Sequence, residues 1–519
     1  MATPKTLPMR TWLDRMIGVL SPAAELRRMR ARVATALLAR HYEAASSGRR
    51  TQHWRKPATD ANAAVHAGLG RLRNLARDLV RNNPHAESAI DTIENHTVGT
   101  GIVPRPFPAN AAAAAAWKEW AGSTACDADG RLDFAGLQGL TIRTVVESGE
   151  ALVRLRPRRL EDGLPLPLQL QVLEPDYLDT SKTAQLPSGG RVINGVELDR
   201  LGRRVAYWLF PEHPGSEIYG GAPASRRVPA ERVLHVFKPT RAGQVRAASW
   251  FAPVLLRFKD FDEYEDATLV KQKIAACLAV LTTDPDGQSP PLGEQGSNEE
   301  EDMLEPGLIL NLPPGRNVEV VQPPQVGDYK DYSEVSLRAI AAGLGVAYED
   351  LTGSYQRLPF SAARMSRIRH WSRVVKWRRR MLIPQLCTPV WVEAMRTAAI
   401  IGRVSEPAPL PVWSAPPPPM IEPDKEGLAY QRNIRGGIMS LSEAIRERGY
   451  DPEELLRELA DDFELLDTLG LILDCDPRRT TQAGNPRQQG AGAMDPDEPS
   501  PAPTDAEETT DDELTGEEE

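Results

Sequence analysis

Eight basic side chains crowd the stretch SAARMSRIRHWSRVVKWRRR: Arg364, Arg367, Arg369, Arg373, Lys376, Arg378, Arg379 and Arg380. Guanidinium and ammonium groups at that density hold phosphates or the carboxylates of a facing protein surface. A second set, Asp127, Asp129 and Asp133 in CDADGRLDF, invites a calcium-loop reading, because a hard cation wants several carboxylate oxygens from one tight turn. The full pattern also needs a sixth-position Gly and a terminal bidentate Glu, which this string lacks, so the trio reads as a helix-initiating turn. His213 and His235 stand alone on different elements and read as structural histidines. The sequence holds no G-x-x-x-x-G-K-S/T, H-E-x-x-H or G-x-S-x-G string and no paired Cys/His ligands. Ionic contact rather than catalysis is the chemistry on offer, and no cofactor or metal is expected.

Periodicity gives the elements that must carry these groups. Met365, Ile368, Trp371, Val375 and Leu382 repeat at helical spacing through the basic stretch, which predicts a long helix with that stripe inward and the cations outward. Before it, Tyr332, Val335, Ala339 and Leu344 predict a shorter amphipathic helix. VAYEDLTGSYQRLPF, broken by Gly353 and Pro359, then predicts a projecting loop. Nearer the N-terminus, Leu69, Leu72, Leu75, Leu79, Ala89 and Ile93 predict two helices. They part at Asn83-Pro84, since a residue before Pro is pushed out of the helical region. Arg71, Arg73, Arg77 and Arg81 would form the outer face of the first. An Ala-rich helix at 108–122 comes next, and from Glu150 to Phe237 the pattern turns to short strands: ALVRLR, LPLQLQVLE, RVINGVELD, RRVAYWLF and RVLHVFK.

A long helix is predicted from about Ser249 to about Leu281, with acids first (Asp260, Asp262, Glu263) and Lys271 and Lys273 last, an order that suits the helix dipole. The irregular TTDPDGQSPPLGEQGSNEEED and the strand-like EPGLILNLPPGRNVEVVQPP follow. One rod thus leaves the body, a small strand-rich cap reverses the chain, and a second rod returns. Past the basic helix, Pro384 and Pro389 would cap or kink the chain, and EPAPLPVWSAPPPPMIEP is a stiff connector. A compact helical unit then takes Ser442 and Asp451 as N-caps, and disorder is expected from Pro477.

At 519 residues the chain exceeds what one hydrophobic core usually serves, so several subdomains are expected. The formal charge of -10 misleads, because residues 495–519 hold twelve acids and no base; setting those aside leaves sixty acids against sixty-two bases. Cys126, Cys277, Cys387 and Cys475 lie far apart, which suits neither a disulfide framework nor a zinc site and fits a reducing compartment. No apolar run approaches the roughly 18 residues of a membrane span. The Arg- and Ala-rich N-terminus is superficially like a transit peptide, but Asp14, Glu25 and Glu43 argue for an extended helical arm.

Strings spread along the chain carry a resemblance. They are WLDRMIG, RHYEAA, RDLVRNNPHAESAIDTI, CDADGRLDF, VINGVELDRLGRRVAYWLF, RVLHVFKPTRAGQVRAASWFAPVL, LEPGLILNLPPGRNVEV, LRAIAAGLGVAYEDLTG and DKEGLAYQRNIRGGIMSLSEAIRERGYDPEEL. In that order they resemble the portal proteins of tailed bacteriophages, in the lambda-type branch, over roughly residues 10–473. The resemblance implies an α+β portal-protein fold: an N-terminal helical arm (1–50), an α/β wing (51–248), a first stem helix (249–281) and a small β-rich clip (282–327). A second stem helix (328–346), a tunnel loop (347–360), a long wing helix (361–403), a Pro-rich linker (404–423), a helical crown (424–475) and a disordered acidic tail (476–519) complete it.

The same resemblance implies a homo-oligomeric ring, expected to be a dodecamer, at the portal vertex of the virion capsid, assembled in the host cytoplasm. Double-stranded DNA would be packaged and ejected through it regardless of sequence. Implied partners are the terminase large subunit, a head-completion or adaptor protein, and the major capsid and scaffold proteins, with no membrane. Gly353, Ser354, Tyr355, Gln356 and Arg357 of the loop, with Lys330 and Lys271 as weak collars, would touch the DNA. Arg364, Arg367, Arg373, Lys376 and Arg379 would hold one subunit to the next. Where the lambda type usually shows Asn-Tyr-Ser-Ser-x-Arg, this chain keeps Ser361 and Arg364 but has Pro359 and Ala362. A conduit must touch phosphates without holding them, because each neutralised phosphate adds affinity that stalls movement, and a near-neutral body suits that. Two other classes stay open: a sequence-nonspecific nucleic-acid-binding protein of another assembly, and a metal-dependent nuclease built on Asp127, Asp129 and Asp133.

Overall fold

The computed structural model describes residues 58–105, 111–216, 224–276, 280–283, 309–312, 329–356, 359–406, 408–450 and 452–471, with isolated positions at 21–24, 27, 30, 473, 476 and 478. The N-terminal arm beyond those positions, most of the expected clip, the acidic tail, Arg357 and Asp451 lie outside the described residues. The chain forms two compact units, one running to Ile102 and again over Pro106–Pro411, the other made of Val103–Arg105 and Val412 onward.

The first unit begins with α1 (Ala61–His66), α2 (Leu69–Asn82) and α3 (Pro84–Thr97). Asn83 parts α2 from α3 in extended conformation, and its Oδ1 accepts from the amides of His85 and Ala86, so it caps α3 while Pro84 takes the first helical position. The strand β1 (Val103–Arg105) belongs to the second unit. Next come α4 (Ala111–Ala121) and α5 (Phe134–Ser148). Asp133 caps α5 through the Gly136 amide, and Asp127 accepts from the amides of Asp129, Arg131 and Leu132, which is the helix-initiating turn read from the sequence.

Gly149 ends α5 in the left-handed region at φ 94°. A Cβ there would lie 2.3 Å from the carbonyl carbon of Ala248, so only glycine allows the crossing. The turn delivers β2 (Glu150–Pro157), followed by β3 (Leu168–Leu173), β4 (Ala184–Gln185), β5 (Arg191–Ile193), β6 (Val196–Leu198), β7 (Arg204–Leu209), β8 (Arg226–Pro229) and β9 (Val233–Phe237). They form two antiparallel sheets, β3-β2-β9 and the meander β4-β5-β6-β7-β8. Leu152, Leu173, Leu178, Val196, Leu198, Tyr207 and Val233 fill the core they share.

The cationic outer face expected for α2 is only half there: Arg71 and Arg81 are exposed, but Arg73 is 3% exposed and Arg77 half-buried. Two acids, the buried Glu150 and the partly buried Asp176, draw them inward. Arg73 reaches Asp176 at 2.9 Å and lies 3.7 Å from Glu150, and Arg77 reaches Asp176 at 2.7 Å. Ala76 and Val80 share that inner side, while Leu75 turns out at 46% exposure.

A long helix, α6 (Leu255–Ala276), follows the sheets but stops short of Leu281. The segment Val280–Thr283, with three β-branched residues of four, forms β10 instead, paired in parallel with β11 (Ile309–Leu312). The chain returns as α7 (Tyr329–Leu344) and α8 (Tyr348–Thr352), then α9 (Phe360–Trp377), which runs through a π-helical segment (Arg378–Cys387) into α10 (Thr388–Ile400). Pro384, with no amide to donate, sits inside the wide turns.

Each stripe read from this region keeps its last member inside, Leu344 and Leu382, but is rotated before it. On α7, Tyr332 and Val335 are exposed, and Ser336, Leu337, Ile340, Ala341 and Leu344 face inward. On α9, Met365 (66%), Ile368 (55%) and Val375 (42%) face out, while His370, Val374 and Trp377, continued by Arg378 and Met381, are buried. The reason is polar: His370 and Arg378 find hydrogen-bond partners inside the fold, which removes the cost of burying them. Hydropathy alone does not register such partners.

In the second unit, β1 pairs antiparallel with β12 (Val412–Ser414), and α11 (Pro423–Arg435), α12 (Leu441–Glu447) and α13 (Pro452–Leu469) follow. Ser440, not Ser442, caps α12: it alone is extended, and its Oγ accepts from the Glu443 amide three residues on. Cys126 and Cys387 are buried free thiols. Among the described residues no helix is long and apolar enough to cross a membrane.

Candidate nucleic-acid loop and subunit face

Gly353 closes α8 in the left-handed region at φ 66°, with open space around it. Ser354, Tyr355 and Gln356 follow it into solvent, Tyr355 at 65% exposure. The base of this loop is fastened. Ser88 and Thr92 of α3 donate to the Asp350 carbonyl at 3.2 and 3.4 Å, and Ser366 of α9 donates to Glu349 at 3.1 Å. An exposed tip on a bonded root is how a loop keeps its position while its surface stays available. Lys330 is exposed on the first turn of α7, about 20 Å along the helix axis from its C-terminal end. Lys271 is half-buried near the end of α6, so the structure does not gather these two lysines with the loop.

Two histidines the sequence reading passed over, together with Arg378 of the basic stretch, tie α9 and the segment that follows it to α3. Arg378, only 7% exposed, donates from Nε to the Thr97 carbonyl at 2.8 Å and from Nη2 to the His96 carbonyl at 2.7 Å. It thereby satisfies the last carbonyls of α3 and puts a positive charge at that helix's negative end. Burial pushes its guanidinium down to about 10. Beside it, His96 Nδ1 and His370 Nε2 lie 2.9 Å apart, and His370 Nδ1 faces the Gly345 carbonyl at 3.2 Å. A carbonyl only accepts, so His370 carries its proton on Nδ1, and His96 donates to the lone pair on Nε2. Burial holds both imidazoles below their ordinary value and hence neutral. Nothing in the local sequence marks this pair, whose members are 274 residues apart.

The outer half of α9 is different. Arg364, Met365, Ile368, Arg369, Val375 and Lys376 are exposed there, Arg379 and Arg380 continue the exposed surface beyond it, and Arg367 and Arg373 are half-buried. Among the described residues no salt bridge reaches Arg369, Arg373, Lys376, Arg379 or Arg380. The positive field has a consequence at Lys238, whose ammonium sits 3.6 Å over the Trp250 ring. Burial, with Lys376 and Arg373 adding repulsion, pushes it down to about 8. The Asp127, Asp129 and Asp133 trio does not converge on a common point. Among the described residues the sets with metal-ligand spacing are His96, Asp350 and His370, and Glu174, Asp176 and His213.

A family model described as "Phage portal protein, lambda family" matches residues 47–378, well over half of the chain. The chain belongs to this family. That bears out the resemblance carried by the sequence strings and makes the protein a phage portal protein. It is similar to the probable portal protein of Halomonas phage phiHAP-1, 24% identical over 467 residues that cover 84% of this chain and 88% of the relative. Portal protein B of Escherichia phage lambda is 26% identical over 367 residues, covering 63% and 68%. Among solved structures, the neck of an empty GTA particle matches with a TM-score of 0.41 at 16% identity, covering 76% of this chain and all of that one.

Proposed function

We propose that this chain closes head-to-tail into a portal ring around a channel for double-stranded DNA, at one vertex of the capsid. The outer half of α9 carries the proposal. A helix that leaves Met365, Ile368 and Val375 in solvent, beside Arg369, Arg373 and Lys376 that make no salt bridge among the described residues, asks for a surface that is apolar at its centre and acidic at its rim. In a ring the neighbouring subunit supplies that surface once per chain, and Arg364, Arg367, Arg373, Lys376 and Arg379 act as the contact set. On this reading α6 and α7 are the stem, β10 and β11 belong to the clip, residues 353–357 are the tunnel loop facing DNA, and α11 to α13 are the crown. The terminase large subunit would dock at the clip, followed by a head-completion protein, with capsid and scaffold proteins against the wing. The role needs no catalysis by the chain.

Native mass spectrometry and negative-stain imaging of the purified chain test this. A closed ring of about a dozen copies with a hole wide enough for duplex DNA is expected; a monomer at every salt concentration overturns the reading. The double variant Arg373→Gln, Arg379→Gln then places the cations. Folded chains that no longer close support the subunit contact, whereas intact rings with stalled packaging would reassign both residues to DNA.

A further inference from the structure

His96 at the end of α3, Asp350 in α8 and His370 in α9 come from three separate elements, yet each offers a ligand atom within 4.8 Å of the other two. The geometry points to a divalent transition-metal site of the zinc type at the root of the 353–356 loop, with His96, His370 and Asp350 as protein ligands and water in the fourth position. No part of the inference depends on the ring.

The donor set fits the chemistry. The Gly345 carbonyl fixes the His370 proton on Nδ1 and leaves Nε2 with its lone pair turned to His96, which is how an outer-shell carbonyl usually prepares a metal-binding imidazole. For His96 to bind through Nδ1, its proton moves to its own Nε2, so the imidazole stays neutral and no proton is lost. The two nitrogens must then open from 2.9 Å to about 3.3 Å, the spacing of two ligands on a tetrahedral zinc. Asp350 supplies the anionic ligand. Its carbonyl, not its carboxylate, is what Ser88 and Thr92 hold, so the side chain is not needed to anchor the loop.

Access and field also fit. A groove of about 510 Å³ opens beside the cluster, lined by Glu87, Asp91, Asn95, His96, Glu349 and Asp350 among others, and among the described residues no Lys or Arg lines it. Arg143 pairs with Glu87 and Asp91 and takes part of that negative charge. Arg367 and Arg378 act on His96 with the opposite sign to Asp350 and oppose a cation. The Arg378 guanidinium is engaged by two carbonyls, and the acidic lining concentrates cations at the groove mouth. A bound ion would join α3, α8 and α9 at one point beneath the exposed loop tip.

The test uses the full-length chain with Co²⁺ as a visible probe and Zn²⁺ as competitor. One Co²⁺ per chain is expected, with absorption bands that Zn²⁺ displaces, and Zn²⁺ alone should raise the unfolding temperature. Asp350→Ala and His96→Gln should each weaken Co²⁺ binding by at least about 100-fold, the upper range for disturbing a mere outer-shell partner. His213→Gln, in the other cluster, should leave it unchanged. Both test variants sit at incompletely buried positions, and circular dichroism without metal confirms that they fold. Failure of the wild-type chain to bind Co²⁺ stoichiometrically, or binding that survives both Asp350→Ala and His96→Gln, overturns the site.

Discussion

Replacing Glu150 by Gln changes one atom in a carboxyl group that is fully buried at the start of β2. Its Oε1 accepts from Arg246 Nε at 2.7 Å and lies 2.6 Å from Arg246 Nη2. Its Oε2 faces His235 Nε2 at 2.9 Å and accepts from the Ala247 amide at 3.2 Å. Burial alone would raise the carboxyl's pKa, but the Arg246 charge and the His235 hydrogen bond outweigh it and hold Glu150 far below the usual carboxylate range. A glutamine can turn its oxygen to Arg246 only by presenting its NH₂ to the Ala247 amide, which is itself a donor. His235 can accept from that NH₂ by moving its proton to Nδ1, an atom that is buried and has no hydrogen-bond partner. At least one buried donor is stranded, at about 1–3 kcal/mol. Arg73 and Arg246 also lose the charge between them, and breaking a buried ion pair from one side costs about 3–5 kcal/mol in all.

Set against a total stability of roughly 5–15 kcal/mol, that loss is severe. Urea unfolding followed by tryptophan fluorescence should show the midpoint falling with the slope unchanged. Glu87→Gln is the control: its partner Arg143 is about a third exposed, and a loss under about 1 kcal/mol is expected. The pH profile gives a second readout. A carboxyl with a lowered folded pKa contributes stability that is complete above its unfolded value and is lost as pH falls below it, so the variant should lose less than wild type on acidification. An E150Q protein within about 1 kcal/mol of wild type would refute the assignment of the network as a structural centre.

Three further outcomes are expected. Arg378→Met strands the last carbonyls of α3 and should cost about 3 kcal/mol in the same urea assay, mostly as unpaired buried acceptors. Lys238→Met should stabilise the protein near pH 7. Its pKa of about 8 against 10.5 is worth about 3 kcal/mol, from which the cation–π contact with Trp250 takes back about 0.5–2 kcal/mol, and the gain should vanish above pH 10. His96, His235 and His370 are all depressed by burial, so the unfolded chain binds their protons first. Thermal unfolding should move to lower temperature as pH drops below about 6.5, and His370→Gln should flatten that slope.

The sequence made element type and order legible wherever local rules decide them. Asn83-Pro84 separates two helices because neither residue can continue one, Asp133 opens α5, and the alternating strands from Glu150 onward are strands. What it did not reveal is which face of α2, α7 and α9 turns inward. Hydropathy ranks Arg73, His370 and Arg378 as outer residues, yet each is buried because partners distant in sequence complete its hydrogen bonds or its charge. The end of α6 failed for a related reason: pairing with β11 makes a strand of Val280–Thr283, and local periodicity cannot see a partner that far along the chain.

The inversion on α9 bears on how the loop would meet DNA. Had Met365, Ile368 and Val375 been the buried stripe, the outer face would be cationic throughout and well suited to hold phosphates. With that stripe outside, the cations border an apolar surface, and salt-dependent attraction to DNA is no longer what the face does best. The loop tip has the complementary character. Gly353, Ser354, Tyr355 and Gln356 carry no charge, so contact through them releases no counterions, and Arg357 is the one charged member of the loop's expected contact set. Its root, by contrast, is bonded to α3 and α9 through three hydroxyls, those of Ser88, Thr92 and Ser366. A largely uncharged tip on a bonded root keeps, on the proposed reading, the contact constant as any sequence passes. On the proposed reading this makes the root's stiffness, rather than charge at the tip, the quantity that mutation should alter to change DNA movement.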